Sequence, residues 1–277
     1  MSVEVLKSLS GPVVLVGAGK MGGAILEGWL RGGIAPSQVI ALDPNMREDV
    51  AADLAARGVV INPALDSLPT PAVLLLAVKP QVAPAVLATV RPIIKAGTLV
   101  VSIMAGRTLG FLRDGLPRGS AIVRTIPNTP ASIGQGITVA VPNAQVSLDK
   151  RALVNGLLAP LGPMEWIDDE DLMDVATAVS GSGPAYAFLL AETLAKAGVA
   201  AGLPADLSDR LACATVAGAG ALIAQSGTAP ATLRENVTSP AGTTAAALAV
   251  LMDPVRGFGP LLEEAVAAAT RRSKALG

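Results

Sequence analysis

The chain has 277 residues, 51% of them hydrophobic and only 16% charged, with a formal net charge of −1. That size and apolar content describe one large or two medium cores and exclude a disordered chain. With no histidine and one cysteine, Cys213, the chain has no histidine triad, imidazole base, His-ligated zinc, internal disulfide or CxxC site, and it fits a reducing compartment. Two Trp, one Tyr and three Phe on a near-neutral chain argue against nucleic acid, which calls for a basic face or stacking platforms. The chemistry is therefore expected to come from a cofactor, with no metal.

In chain order, the first residues carry an acid, Glu4, and lack the basic and apolar regions of a signal peptide, so a cytoplasmic protein is expected. Short β-branched or leucine runs then recur at 12–16, 39–42, 59–61, 72–78, 98–103, 121–124 and 137–141. Between them lie segments of helical period. Met21, Ile25 and Trp29 form one face that closes at Gly32-Gly33, and Val50 and Leu54 form another that ends at Gly58. Leu153, Val154, Leu157, Leu158 and Leu161 make a later face. Apolar strands alternating with helices predict an α/β, Rossmann-type, doubly wound and mostly parallel sheet.

After 163–167 the strand signal fades. The acids of Asp168-Asp169-Glu170-Asp171 suit a first helical turn, and Pro184 suits the first turn of the next helix. Further helices are expected around 206–225, 243–251 and 256–274. The division predicted is a dinucleotide-binding domain, 1–167, and an all-α domain, 168–277, whose Ala and Gly content allows helices to pack closely across a dimer interface. The most apolar long stretch, 211–224, is shorter than the roughly 20 residues of a bilayer span, so no membrane partner is expected.

Gly17-Ala18-Gly19-Lys20-Met21-Gly22 follows the first strand and opens a helix. In this spacing Gly17 permits the tight turn, Gly19 lets backbone approach a pyrophosphate, and Gly22 lets helix and sheet pack closely. The helix N-terminus offers N–H groups to the anion. Asp43 ends the second strand, 21 residues beyond Gly22. A carboxylate there accepts from adenosine ribose hydroxyls and repels a 2′-phosphate, which favours NADH over NADPH; Arg47, one turn on, is the residue that would serve a phosphate instead. Ala77-Val78-Lys79-Pro80 and Ile103-Met104-Ala105-Gly106 follow the strands at 72–78 and 98–103, where ligands of such sheets collect. By composition alone Lys79 reads as a solvated loop lysine.

Two segments of the second half are unlike ordinary helix connections: Val179-Ser180-Gly181-Ser182-Gly183-Pro184-Ala185-Tyr186 and Val237-Thr238-Ser239-Pro240-Ala241-Gly242-Thr243-Thr244. The second runs straight into a helix. Hydroxyls and N–H groups with little side-chain bulk at a helix start make a carboxylate receptor. Simple N-capping by Ser239 or Thr243 would explain one hydroxyl of the run but not the rest.

GAGKMG (17–22), AVKP (77–80), RTIPNTP (124–130), AVSGSGPAY (178–186) and VTSPAGTT (237–244), in this order and at these distances, resemble the pyrroline-5-carboxylate reductase family along essentially the whole chain. The resemblance implies hydride transfer from NADPH or NADH to the cyclic imine 1-pyrroline-5-carboxylate, giving L-proline, the last step of proline biosynthesis. It further implies a C-terminal dimerisation domain and dimers that assemble into decamers. Carried over residue by residue, Ser239, Gly242 and Thr243 hold the substrate carboxylate and Thr244 lies beside the ring nitrogen. Gly17, Ala18, Gly19, Lys20, Met21, Gly22, Asp43, Ala77, Val78, Lys79, Pro80, Ile103, Ala105 and Gly106 line the cofactor, with Asn128 near the nicotinamide. The family usually has two glycines where this chain has Ala241-Gly242; a positive φ at the first would strain alanine. Two alternatives remain at this level: a β-hydroxyacid dehydrogenase, for which Lys196 is the candidate base, and a non-catalytic dinucleotide-binding protein.

Overall fold

The computed structural model describes residues 9–276. Two compact units are formed: one comprises the described residues through Gly181 together with those from Arg271 onward, and the other is Ser182–Thr270.

The first unit is built on eight strands: β1 (Val13–Val16), β2 (Val39–Leu42), β3 (Val60–Ile61), β4 (Val73–Leu76), β5 (Leu99–Ser102), β6 (Ala121–Pro127), β7 (Thr138–Pro142) and β8 (Met164–Trp166). Their order is β3-β2-β1-β4-β5-β6-β7-β8. All neighbouring pairs are parallel except β6 and β7. This confirms the expected mostly parallel Rossmann-type sheet. The chain leaves β1 on one side for β2 and later returns on the other for β4, so a crevice opens at the carboxyl ends of β1 and β4.

Both faces of the sheet are covered, which is why β1, β2 and β4 are apolar without interruption. Val13 and Leu15 join one core with Ile25, Leu26 and Trp29 of α1 (Lys20–Arg31) and Leu157 of α5. Val14 and Val16 join the other with Leu87 and Leu112 of α3 and α4. Here α2 is Glu48–Ala56, α3 Ala83–Val90, α4 Leu109–Gly115 and α5 Leu148–Leu158. Trp29 is fully buried, and its indole N–H donates to the Leu157 carbonyl at 2.8 Å. That bond satisfies the one polar atom of the largest core residue.

After β8 the acidic run forms a 3₁₀ turn, Glu170–Leu172, leading into the short α6 (Met173–Ala176). A π-helical turn, Thr177–Gly181, follows without a break. The second unit then holds α7 (Gly183–Ala200), α8 (Ala205–Ser226), α9 (Pro230–Asn236), α10 (Thr243–Leu251) and most of α11 (Phe258–Lys274). The expected helices at 206–225, 243–251 and 256–274 correspond to α8, α10 and α11, whereas α9 was not foreseen. α7 and α8 approach closely: the buried Ser208 hydroxyl donates to the Ala195 carbonyl at 2.7 Å, and a Cβ on Gly198 would collide with Ser208 Oγ.

The length argument against a membrane span needs correction. The apolar stretch 211–224 is the middle of a 22-residue helix, long and apolar enough to cross a bilayer by length and composition. The more polar flanks 205–210 and 225–226 extend it to Ala205–Ser226, and Gly227, with φ of +62°, terminates it. Length therefore does not dismiss a span. α8 also leaves Leu211, Leu222 and Ile223 exposed, as α7 leaves Phe188 and Leu189. Apolar helix faces of this kind mark an interaction surface.

Candidate active site

The glycine loop performs the mechanical roles its spacing implies. Gly17 has φ +93°, and a Cβ there would meet the Ala77 carbonyl oxygen at 2.7 Å and Val78 Cγ1 at 2.9 Å. A Cβ on Gly22 would collide with the Gly17 carbonyl, whereas Gly19 is exposed with nothing within 4 Å of its Cβ position. Gly19 is also the N-cap of α1, and no side chain caps it. The start of α1 is thus an open set of N–H donors on bare backbone. That arrangement fits a pyrophosphate. Lys20 is exposed beside it and Met21 packs against the core.

The loops at the crevice are stitched together through the sheet. Gly17 N–H donates to Leu42 O at 2.9 Å, Ala77 N–H to Val16 O at 2.8 Å, and Ile103 N–H to Leu76 O at 3.0 Å. Segments 17–22, 77–80 and 103–106 consequently emerge side by side from β1, β4 and β5. Lys79 and Ala105 are exposed there, while Ala77, Val78, Pro80, Ile103 and Gly106 are half-buried.

Asp43 at the end of β2 joins this group. One carboxylate oxygen accepts from Ala18 N–H at 2.8 Å and the other from Asn45 N–H at 2.9 Å. Its backbone is held by Asn62, whose side chain accepts from Asp43 N–H at 2.7 Å and donates to Asp43 O at 2.9 Å. Asn62 has φ +44°, a conformation Asn tolerates better than other non-glycine residues. Sequence reading missed Asn62; an Asn-Pro after a short strand was the available signal. Arg47 lies outside this cluster, exposed and paired with Asp49 at 3.2 Å.

Asn128 begins a 3₁₀ turn after β6. Its amide donates to Ser180 O at 3.1 Å and accepts from Ile137 N–H at 3.0 Å. It therefore fastens the π-helical turn of the SGSGPAY segment to the end of β6. π-turns of this kind recur at functional sites. Sequence reading also missed the support behind this end of the sheet. Arg124, 4% exposed, pairs with Glu170 at 2.7 Å, and the same Glu170 oxygen accepts from Leu109 N–H at 2.8 Å.

In the second unit the hydroxyl-rich bend enters α10 through Gly242, which is the N-cap with no side-chain hydrogen bond. Capping by Ser239 or Thr243 is therefore not what those hydroxyls do. Gly242 N–H donates to Ser239 O at 3.1 Å, and Thr238 Oγ1 donates to Arg234 O at 2.6 Å. A side chain at Gly242 would strike Ser239 Oγ. Ala241 has φ +58°, so the position occupied by glycine in the family does require the left-handed region. The bend brings Ser239, Gly242, Thr243 and Thr244 together around the unpaired N–H groups of a helix start. A carboxylate suits such a site. Lys196, the candidate base of the dehydrogenase reading, is instead an exposed partner of Glu192 on α7.

Comparison with known proteins agrees along the chain. Residues 170–276 match a family model described as pyrroline-5-carboxylate reductase dimerisation, and residues 12–106 match one described as NADP oxidoreductase coenzyme F420-dependent. A pyrroline-5-carboxylate reductase of Pseudomonas aeruginosa is 38% identical over 95% of this chain and 96% of its own. One from Synechocystis is 45% identical over 74% of this chain and 75% of its own. Among solved structures, the Coxiella burnetii pyrroline-5-carboxylate reductase superimposes with a TM-score of 0.89 at 30% identity, covering 97% of this chain and 99% of that one. The Plasmodium falciparum pyrroline carboxylate reductase, solved with NADP bound, gives 0.79 at 30% identity, covering 97% and 99%. With relatives at 38% and 45% identity over 95% and 74% of its length, this chain belongs to the pyrroline-5-carboxylate reductase family.

Proposed function

We infer that the enzyme reduces 1-pyrroline-5-carboxylate to L-proline, with residues 1–167 serving the dinucleotide and 168–277 serving substrate and dimerisation. The observation that carries this reading is the bend 239–244, whose hydroxyls are left over from capping at an open helix start. A bound reduced nicotinamide would supply the hydride for C5 of the imine, taken as its protonated iminium so that proline forms without a further acid. The protein binds and orients. Backbone N–H groups at the start of α10 and the Ser239 hydroxyl hold the substrate carboxylate, with Gly242 and Thr243 shaping the bend. Thr244 hydrogen-bonds the ring nitrogen as the imine becomes an amine. The pyrophosphate rests on 17–22, and segments 77–80 and 103–106 with Asn128 line the nicotinamide end.

The cofactor proposed is NADH. Asp43 is fixed by Ala18 and Asn45 as a negative charge beside the glycine turn, which would repel a 2′-phosphate, and Arg47 pairs with Asp49 instead. Apolar helix faces in the second unit support a homodimer, with decamers built from dimers as the assembly. The location proposed is the cytoplasm, with no nucleic-acid or membrane partner. The test is a cofactor-absorbance assay with pyrroline-5-carboxylate and each nicotinamide in parallel. Imine-dependent oxidation, faster with NADH, is expected; cofactor binding with no imine-dependent oxidation would overturn the reading.

A further inference from the structure

Arg107 follows Gly106 directly and reaches the neighbouring loop. Its Nε and Nη2 both donate to the Pro80 carbonyl, at 3.1 and 2.7 Å. Its guanidinium also lies 4.6 Å from the centroid of the Phe111 ring. Phe111 is itself fixed, since its N–H donates to Thr108 Oγ1 at the N-cap of α4. A charged fork on one carbonyl, backed by an aromatic face, is a rigid arrangement that a lysine cannot copy.

The loop it leaves needs such a tether. Its strand end is held by Ile103 N–H on Leu76 O and by Met104 N–H on Ser102 Oγ. Beyond that comes Gly106 with φ +69°, a position with wide conformational freedom. Pro80, the acceptor, begins a 3₁₀ turn and also takes the Ala83 N–H. It is a fixed point, so Arg107 sets the distance between segments 77–80 and 103–106.

We propose that Arg107 is a positioning residue for the nicotinamide cofactor, acting through the spacing of these two segments. The proposal rests on their assignment to the cofactor. The experiment compares wild type, R107A and R107K in steady-state kinetics, with hydrogen exchange of the wild type with and without reduced nicotinamide cofactor. R107A is expected to raise the cofactor KM about tenfold, the size of a lost charge-assisted hydrogen bond, with kcat and the pyrroline-5-carboxylate KM nearly unchanged. R107K is expected to recover part of that loss. A wild-type-like cofactor KM in R107A, or equal losses in every parameter with a lower unfolding midpoint, overturns the role of Arg107 alone. Absence of cofactor protection at 77–80 and 103–107 in the wild type overturns the loop assignment beneath it.

Discussion

Ala18 N–H donates to the Asp43 carboxylate at 2.8 Å, joining the phosphate-binding turn to the end of the second strand. In the proposed cofactor site, one residue would thereby serve both ends of the adenosine. Asp43→Asn keeps an acceptor for Ala18 but removes the charge. Two like charges about 4 Å apart near a protein surface repel by about 1–4 kcal/mol. The ratio of kcat/KM for NADH over NADPH is therefore expected to fall about tenfold or more in this variant. Parallel assays with the two cofactors measure it, and an unchanged ratio would remove Asp43 from cofactor choice.

Thr244 sits in the first turn of α10 (Thr243–Leu251), the helix whose N-cap offers no side chain. Thr244→Ala deletes the hydroxyl together with the small γ-methyl. A hydrogen bond to a charged group contributes about 1.5–3 kcal/mol, so kcat is expected to drop by about 10- to 100-fold. Dinucleotide affinity, followed by fluorescence of the reduced cofactor, is expected to stay within about twofold of the wild type. Wild-type kinetics would exclude Thr244 from the reaction.

Ala241 is held at φ +58° in an exposed position. A left-handed conformation costs an L-residue about 1–2 kcal/mol, and glycine's greater freedom when unfolded returns part of it. Ala241→Gly is expected to stabilise the protein by about 0.5–1 kcal/mol. A higher urea midpoint at unchanged slope shows this. A lower midpoint would mean the strain is relieved in solution.

Asp253 closes the turn after α10, its carboxylate accepting from Val255 and Arg256 N–H at 2.9 and 2.8 Å. Those backbone bonds hold its pKa below the usual carboxylate value. The sign follows from linkage: the folded form binds the proton less readily than the unfolded form. The stabilisation is therefore complete above the ordinary aspartate range and is lost as pH falls through the lowered folded value. Compared with Asp253→Asn, the wild type is expected to have its largest stability advantage near neutral pH, with the gap narrowing on acidification. Urea midpoints of both proteins across the acid limb test it, and a gap independent of pH would contradict the argument.

Which features were legible in the sequence follows from the range of the interactions that create them. β1 was readable because Val13–Val16 alternate into two cores, so every position is apolar. The start of α10 was readable because an alanine run follows a bend of Gly, Ser and Thr. The π-turn at Thr177–Gly181 was not, since its backbone pattern has no composition of its own. Asn62 and Arg107 were missed for another reason: each acts on a backbone group 19 or 27 residues away, Asp43 and Pro80 respectively, and only Asn62 left a local signal, its Asn-Pro pair. α8 was legible over 206–225, within one residue of its observed ends.

Arg124 and Glu170 carry the last expectation. Glu170 Oε1 takes both the Arg124 guanidinium and the Leu109 N–H, so one oxygen ties β6 and the start of α4 to the segment before the π-turn. Arg124 is 4% exposed and Glu170 27%. Removing only the carboxylate strands a buried guanidinium, which costs about 3 kcal/mol or more. Replacing both partners with apolar residues of similar volume removes the stranded charge along with the pair. Glu170→Ala is therefore expected to be strongly destabilised and the Arg124→Met/Glu170→Leu double variant substantially less so. The double variant still lacks an acceptor for Leu109 N–H, so full recovery is not expected. Urea unfolding of the single and double variants measures the difference. A double variant as unstable as Glu170→Ala would show that the Leu109 tether, not the ion pair, dominates this end of the sheet.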